Sequence, residues 1–206
     1  MTLFPLMGVS RLRMATDGVG ITTLVAAWGC PLRCKMCLNP HCFDAASDVK
    51  HVTPEDLYQR VKIDDLYFQA TGGGVTFGGG EPLLHSPFIA EFHELCGNKW
   101  HITAESCLNI PEKQLEIAAG CIDAFFIDIK DMNPEIYRRY TGCDNALVIR
   151  NLETLLQRVG SERITVRVPN IPGYNTPEDV HKSAEMLKNM GFTSLDVFTY
   201  IQKQHT

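Results

Sequence analysis

The sequence predicts an α/β protein, a partial (β/α)6 TIM-type barrel with parallel strands, and three observations carry that prediction. Short apolar runs alternate with helical patterns along most of the 206 residues, the order that produces right-handed βαβ units and a parallel sheet. The run Ile21 to Trp28 is β-branched and almost continuously apolar, as a strand covered on both faces is. About six strand–helix units follow, fewer than the eight of a closed barrel, so a three-quarter barrel is expected.

The bulk numbers limit what such a fold is used for. Residues 1–206 suit one domain, with no internal repeat, low-complexity stretch or dividing linker. Hydrophobic residues at 45% and charged residues at 21% describe an ordinary globular chain. A net charge of −5, with no dominant basic stripe, argues against nucleic acid as the main partner. Met1 to Arg13 lacks the basic head and long apolar stretch of a signal peptide, and no apolar run reaches membrane-spanning length. Eight cysteines in a chain rich in core-forming residues suit a reducing cytoplasm better than a disulfide framework.

In chain order, Met1 to Gly20 reads as an irregular or edge-strand lead-in closed by the turn-prone Asp17-Gly18-Val19-Gly20. Thr53-Pro54-Glu55-Asp56 combines an N-cap, a proline at the first helical position and acids in the first turn, so a helix is expected from there towards Ala70. Ser86-Pro87 opens another through about Asn98, and Thr176-Pro177-Glu178-Asp179 a third through about Asn189, ended by Gly191. Further helical patterns cover Pro111 to Ala119, Pro134 to Tyr140 and Asn145 to Val159. Between them stand the strand candidates Gly74 to Phe77, Trp100 to Ala104, Ile122 to Ile129, Arg163 to Val168 and Leu195 to Tyr200.

In such folds functional residues gather at the carboxyl ends of the strands. After the first strand come Cys30, Cys34 and Cys37, spaced C-x3-C-x2-C. Three soft thiolates select zinc, copper(I) or an iron–sulfur cluster. With a fourth ligand from Cys42 or His41 the loop would be a structural zinc site or a plain electron carrier. With three it leaves one iron of a [4Fe–4S] cluster open. The second strand ends in Phe77-Gly78-Gly79-Gly80-Glu81-Pro82, glycines that allow close backbone approach before a carboxylate. The third ends at Glu105-Ser106 and the fourth at Asp128 to Asp131. Asp128 lies in an otherwise apolar strand, so it needs a partner or a ligand, and Lys130 is the candidate partner. Arg167 stands inside the fifth strand, where an arginine is paired or clamps an anion. Cys96, Cys107, Cys121 and Cys143 read as small buried hydrophobes; Cys107, just past Glu105-Ser106, is the one that strand-end position brings nearest the site.

These blocks resemble the radical S-adenosylmethionine (SAM) superfamily and, within it, the activating enzymes of glycyl radical enzymes. Gly29 to Pro40 resembles the cluster loop, Gly79-Gly80-Glu81-Pro82 the SAM amino-group motif, Ile127 to Lys130 with Tyr140-Thr141-Gly142 the fourth-strand block, and Arg167 to Gly173 the fifth. The resemblance implies that Cys30, Cys34 and Cys37 hold a [4Fe–4S] cluster whose open iron is chelated by SAM. It implies that Gly79, Gly80 and Glu81 hold the SAM amino group, that Lys130 and Arg167 pair with its carboxylate, and that Asn39 lies near the adenosine. Met36 stands where an aromatic residue usually packs on adenine, and Glu105, Ser106 and Asp128 would bind SAM or a monovalent cation beside it. The chemistry implied is reductive cleavage of SAM to a 5′-deoxyadenosyl radical that takes a glycine Cα hydrogen from a glycyl radical enzyme, with flavodoxin or ferredoxin as electron donor.

Several positions depart from the pattern: in Asp17-Gly18-Val19-Gly20-Ile21, which resembles the family's entry motif, Val19 replaces a usual proline, and Leu38 replaces an often polar residue. No ferredoxin-like insert follows Cys42, so one cluster is expected. The chain stops at Gln202 to Thr206, short of the Pro-Tyr-His block and final helix of longer members, so a substrate-facing wall is expected to be either missing or built by a partner. The alternative function is a radical SAM enzyme modifying a small molecule or peptide with the same core, and the non-enzymatic one a zinc or iron–sulfur binding module.

Overall fold

The computed structural model describes residues 2–14, 17–43 and 49–200. Among them eight strands form one open sheet in the order β3-β1-β2-β4-β5-β6-β7-β8. The strands are β1 (Phe4–Met14), β2 (Ile21–Ala27), β3 (Lys50–Val52), β4 (Gly74–Gly79), β5 (His101–Ser106), β6 (Ala124–Asp128), β7 (Ile164–Asn170) and β8 (Ser194–Thr199). From β2 to β8 every neighbouring pair is parallel, which gives the six parallel strands expected. The lead-in is a full strand: β1 runs antiparallel to β2, and a short β3 pairs with its outer edge. Only the first residues of β1 alternate between buried and partly exposed, so its sequence carries little strand signal.

The helices are α1 (Pro54–Val61), α2 (Asp65–Thr71), α3 (Ser86–Cys96), α4 (Glu112–Cys121), α5 (Pro134–Thr141), α6 (Ala146–Val159) and α7 (Pro177–Met190). Thr53 and Thr176 form capping boxes with Asp56 and Asp179, as their spacing predicts. Gly191 ends α7 in the left-handed region. Two details differ from expectation. The helix expected from Thr53 to Ala70 breaks at a 3-10 turn over Lys62–Asp64, because Asp64 turns inward to accept from Arg11 Nε at 3.0 Å and Thr23 Oγ1 at 2.7 Å. Ser86 opens α3, but its hydroxyl donates back to the Leu83 carbonyl at 2.7 Å rather than capping the helix.

Alternation along the strands sorts side chains onto two faces. Val75, Phe77, Ile102, Ala104, Phe125, Ile127, Val166 and Val168 join one buried core, against which α3 packs on α1 and α4, α4 on α6, and α7 on β7. The intervening positions, Thr76 and Gly78, Thr103 and Glu105, Phe126 and Asp128, Thr165 and Arg167, take the opposite face. The parallel register sets Glu105 beside Phe126 and Asp128 beside Arg167. That face becomes the wall of the site.

The loop after β5 is held from below by Asn151 of α6, buried, whose Nδ2 donates to the Leu108 and Ile110 carbonyls at 2.8 Å each. Asn151→Ala strands two buried acceptors and is expected to cost about 2–3 kcal/mol, read as a lowered urea midpoint with an unchanged m-value. A loss below about 0.5 kcal/mol would show that the loop does not depend on this anchor.

Candidate functional site

The cysteine loop leaves the carboxyl end of β2 and is held on its backbone from two sides. Gly80 N donates to the Ala27 carbonyl at 2.9 Å and Glu81 N to the Gly29 carbonyl at 2.8 Å, while Arg33 N and Lys35 N donate to the carbonyls of Thr141 and Tyr140 at 2.9 and 3.1 Å. The last carbonyls of α5 would otherwise lack partners, so the Tyr140-Thr141-Gly142 block serves to dock this loop. Within the loop, Arg33 Nη1 donates to the Cys30 carbonyl at 2.6 Å and Asn39 Nδ2 reaches the Gly79 carbonyl at 3.0 Å. Gly80 is glycine for a spatial reason: a Cβ there would collide with the Gly29 carbonyl oxygen.

Cys30, Cys34 and Cys37 all line one cavity of about 740 Å³, and Met36, Asn39, Gly79, Gly80, Glu105, Ser106, Asp128, Lys130 and Arg167 line it too. Every expected site residue except Glu81 therefore reaches the same space. Arg167 Nη1 donates to Glu105 Oε1 at 2.7 Å and lies over the Phe126 ring at 4.5 Å. Lys130 Nζ stands 3.3 Å from Asp128 and donates to Tyr200 Oη at 3.0 Å. Burial alone would lower the Lys130 ammonium, but Asp128 and Tyr200 outweigh it and hold its pKa above the ordinary value. Burial pushes the Glu105 carboxyl up against the opposing pull of Arg167. On this wall Lys130 and Arg167 stand with their counter-charges already in place, so an incoming anion meets preorganised positive groups.

Glu81 lies beneath the cavity at 0% exposure. Its Oε1 accepts from Leu83 N at 3.1 Å and Ser106 Oγ at 2.9 Å, and its Oε2 from Cys107 N at 2.8 Å. Burial still drives its pKa up. These contacts tie the loop after β4 to the end of β5, so the carboxylate supports Gly79 and Gly80 rather than facing the space above them.

The eight cysteines are free thiols. A hydrogen bond from Cys107 lowers the Cys30 thiol, and the same contact raises Cys107. Burial raises Cys34 to about 11 and Cys42 to about 12. Cys42 lies against Cys37 but outside the cavity lining, and His41 is not part of that lining. Among the described residues no three His, Cys, Asp or Glu side chains stand close enough to share a single ion. Zinc needs four donors at about 2.0–2.3 Å, whereas a cluster gives each thiolate its own iron. Cys30, Cys34 and Cys37 spread around one cavity, with Cys107 also in its lining, fit the larger group.

Arg13, Asp196 and Tyr200 also line the cavity without having been singled out in the sequence, as do Asp17 and Tyr140, which the sequence marked only as motif residues. Tyr200 follows β8 and obeys the strand-end rule already applied to the other strands. Arg13, paired with Asp17, comes from the antiparallel edge, where no such rule applies. The expected end at Gln202 to Thr206 lies outside the described residues.

Comparison with known proteins extends the geometry. The model of the Radical SAM superfamily matches residues 27–187. The pyruvate formate-lyase-activating enzyme of Listeria monocytogenes is 32% identical over 193 residues, covering 89% of this chain and 77% of its own. The (2S)-3-sulfopropanediol dehydratase activating enzyme of Klebsiella oxytoca is 26% identical over 235 residues, covering 84% and 74%. Among solved structures, SuiB of Streptococcus suis bound to S-adenosylmethionine superposes with a TM-score of 0.62 at 15% identity, over 85% of this chain. The chain spans 38% of that structure, and at this identity the likeness is one of fold.

Glu81→Ala leaves Cys107 N and Leu83 N without their acceptor and is expected to cost about 3 kcal/mol, measured by urea denaturation. Glu81→Gln keeps one acceptor oxygen and is expected to cost about half as much. Two neutral variants would remove Glu81 from its bracing role.

Proposed function

The chain belongs to the radical SAM superfamily, among the activating enzymes typified by pyruvate formate-lyase-activating enzyme, and we propose that it activates a glycyl radical enzyme. The observation that carries this reading is the meeting of Cys30, Cys34 and Cys37, the Gly79-Gly80 turn and the cations Lys130 and Arg167 at one cavity. In this reading Cys30, Cys34 and Cys37 hold a [4Fe–4S] cluster. The backbones of Gly79 and Gly80, braced by Glu81, hold the amino group of SAM. Lys130 and Arg167 take its carboxylate, sharing charge with Asp128 and Glu105. Met36 supplies a polarizable surface for adenine, with Asn39 fixed beside it by the Gly79 carbonyl.

Held by Cys30, Cys34 and Cys37, a [4Fe–4S] cluster would supply the one electron for reductive cleavage of SAM, the chemistry that would let the partner's glycine Cα give up a hydrogen atom. The chain's own work is to position and to exclude water. Half-buried cysteines packed on the core keep the cluster side dry, while the charged wall fixes the carboxylate end of SAM. The partner protein is a glycyl radical enzyme, and the electron donor a flavodoxin or ferredoxin in a reducing cytoplasm. Among the described residues no helix is long and apolar enough to cross a membrane.

Anaerobically reconstituted protein is expected to form 5′-deoxyadenosine from SAM under reduction, and Cys34→Ala to abolish it. Survival of SAM cleavage in Cys34→Ala contradicts the ligand assignment. Incubation with a candidate glycyl radical enzyme is expected to give the glycyl EPR doublet. SAM cleavage without a doublet from any partner favours a small-molecule or peptide substrate instead. Arg167→Met is expected to raise the KM for SAM about tenfold or more, with a smaller fall in kcat, because a charge-assisted bond to the carboxylate is lost in the bound ground state.

A further inference from the structure

The last strand carries a phenol into the cavity that none of the roles above uses. In β8, Asp196 and Phe198 stand in register with Arg167 and Pro169 of β7. The ladder continues one residue past the strand, where Tyr200 N donates to the Asn170 carbonyl at 3.0 Å. Strand parity therefore puts Asp196, Phe198 and Tyr200 on one face, and all three line the cavity. The Phe198 ring meets the Tyr200 ring edge to face at 5.3 Å, which fixes the direction of the phenol. Lys130 Nζ donates to the Tyr200 hydroxyl oxygen at 3.0 Å and also lies 3.3 Å from Asp128 Oδ2.

Neutralising Lys130 does not require Tyr200. Asp128 supplies the counter-charge, and a phenylalanine would offer the ammonium the same ring, whose centroid is 5.7 Å away. What the hydroxyl adds is a proton. An ammonium has three N–H donors, and a phenol has one O–H donor beside its acceptor oxygen. With one Lys130 proton on Tyr200 and one turned to Asp128, a third N–H and the Tyr200 O–H remain, on atoms 3.0 Å apart at the cavity wall. Two adjacent donors, one of them charged, match the two oxygens of a carboxylate. The ammonium at the phenol oxygen also polarises the O–H and strengthens it as a donor.

We propose that Tyr200 is a further binding residue for the carboxylate of SAM, its O–H donating to that group together with a Lys130 N–H. The inference rests on the reading of this cavity as a SAM site. It adds to that site a neutral donor whose removal leaves every charge in place.

The test measures equilibrium binding of SAM and of decarboxylated SAM to anaerobically reconstituted, unreduced protein, in wild type and Tyr200→Phe. Decarboxylated SAM keeps the sulfonium, amine and adenosine and lacks only the carboxylate, so it reports on the fold and on the rest of the site. Tyr200→Phe is expected to bind SAM about tenfold more weakly, the size of one lost hydrogen bond to a charged group. The same variant is expected to bind decarboxylated SAM as wild type does. Equal weakening of both ligands makes Tyr200 a packing element of the wall and overturns the inference. Unchanged binding of both overturns it also, and in either case a wild type that prefers SAM to its decarboxylated form leaves the SAM site standing. Wild-type protein that binds neither ligand overturns both readings together.

Discussion

One buried carboxylate links the parts of this site. Glu81 stands where the loop after β4 crosses beneath the cavity, its backbone N bonded to the Gly29 carbonyl of the cysteine loop and its side chain to the ends of β4 and β5. A carboxylate at zero exposure is unfavourable unless each oxygen is satisfied, and here neutral donors from Leu83, Ser106 and Cys107 satisfy it. The consequence is geometric: the backbone of Gly79 and Gly80, the first turn of the cysteine loop and the Cys107 position cannot move independently.

Above that floor the chemistry is set by which face of each strand a residue occupies. Glu105, Asp128 and Arg167 share the inner face because each sits at the same parity as its neighbour in a parallel register, while their flanking residues enter the core. The cations are not left bare: Arg167 holds Glu105, and Lys130 holds Asp128 and Tyr200. Charges in so enclosed a wall would otherwise carry a desolvation penalty, and pairing keeps both ionised and aimed before any ligand arrives. That arrangement suits a zwitterion, which brings an anion for the cations and an ammonium for the backbone carbonyls.

Much of this was legible in the sequence. The six parallel strands followed from apolar runs alternating with capped helices, and the cavity residues from reading each strand end. Two kinds of feature escaped. Local pattern said little of β1 and β3, because β1 has a largely exposed second half with no clean alternation and β3 is only three residues long, so Arg13 went unassigned. The break between α1 and α2 depends on Asp64 meeting Arg11 and Thr23, a tertiary contact that helix propensity does not encode. Glu81 was legible as important but not in its direction: its burial depends on Ser106 and Cys107, far away in sequence. Tyr200 could have been found, since it follows a strand to which the strand-end rule applied.

The account depends above all on the three thiols of Cys30, Cys34 and Cys37 holding a cluster with one iron left for SAM. The most direct measurement is iron and acid-labile sulfide analysis of anaerobically purified protein, with the EPR spectrum of its reduced form recorded before and after adding SAM. A [4Fe–4S] complement whose spectrum shifts on SAM addition is the predicted result. Zinc without sulfide, or a cluster whose spectrum SAM leaves unchanged, would contradict it.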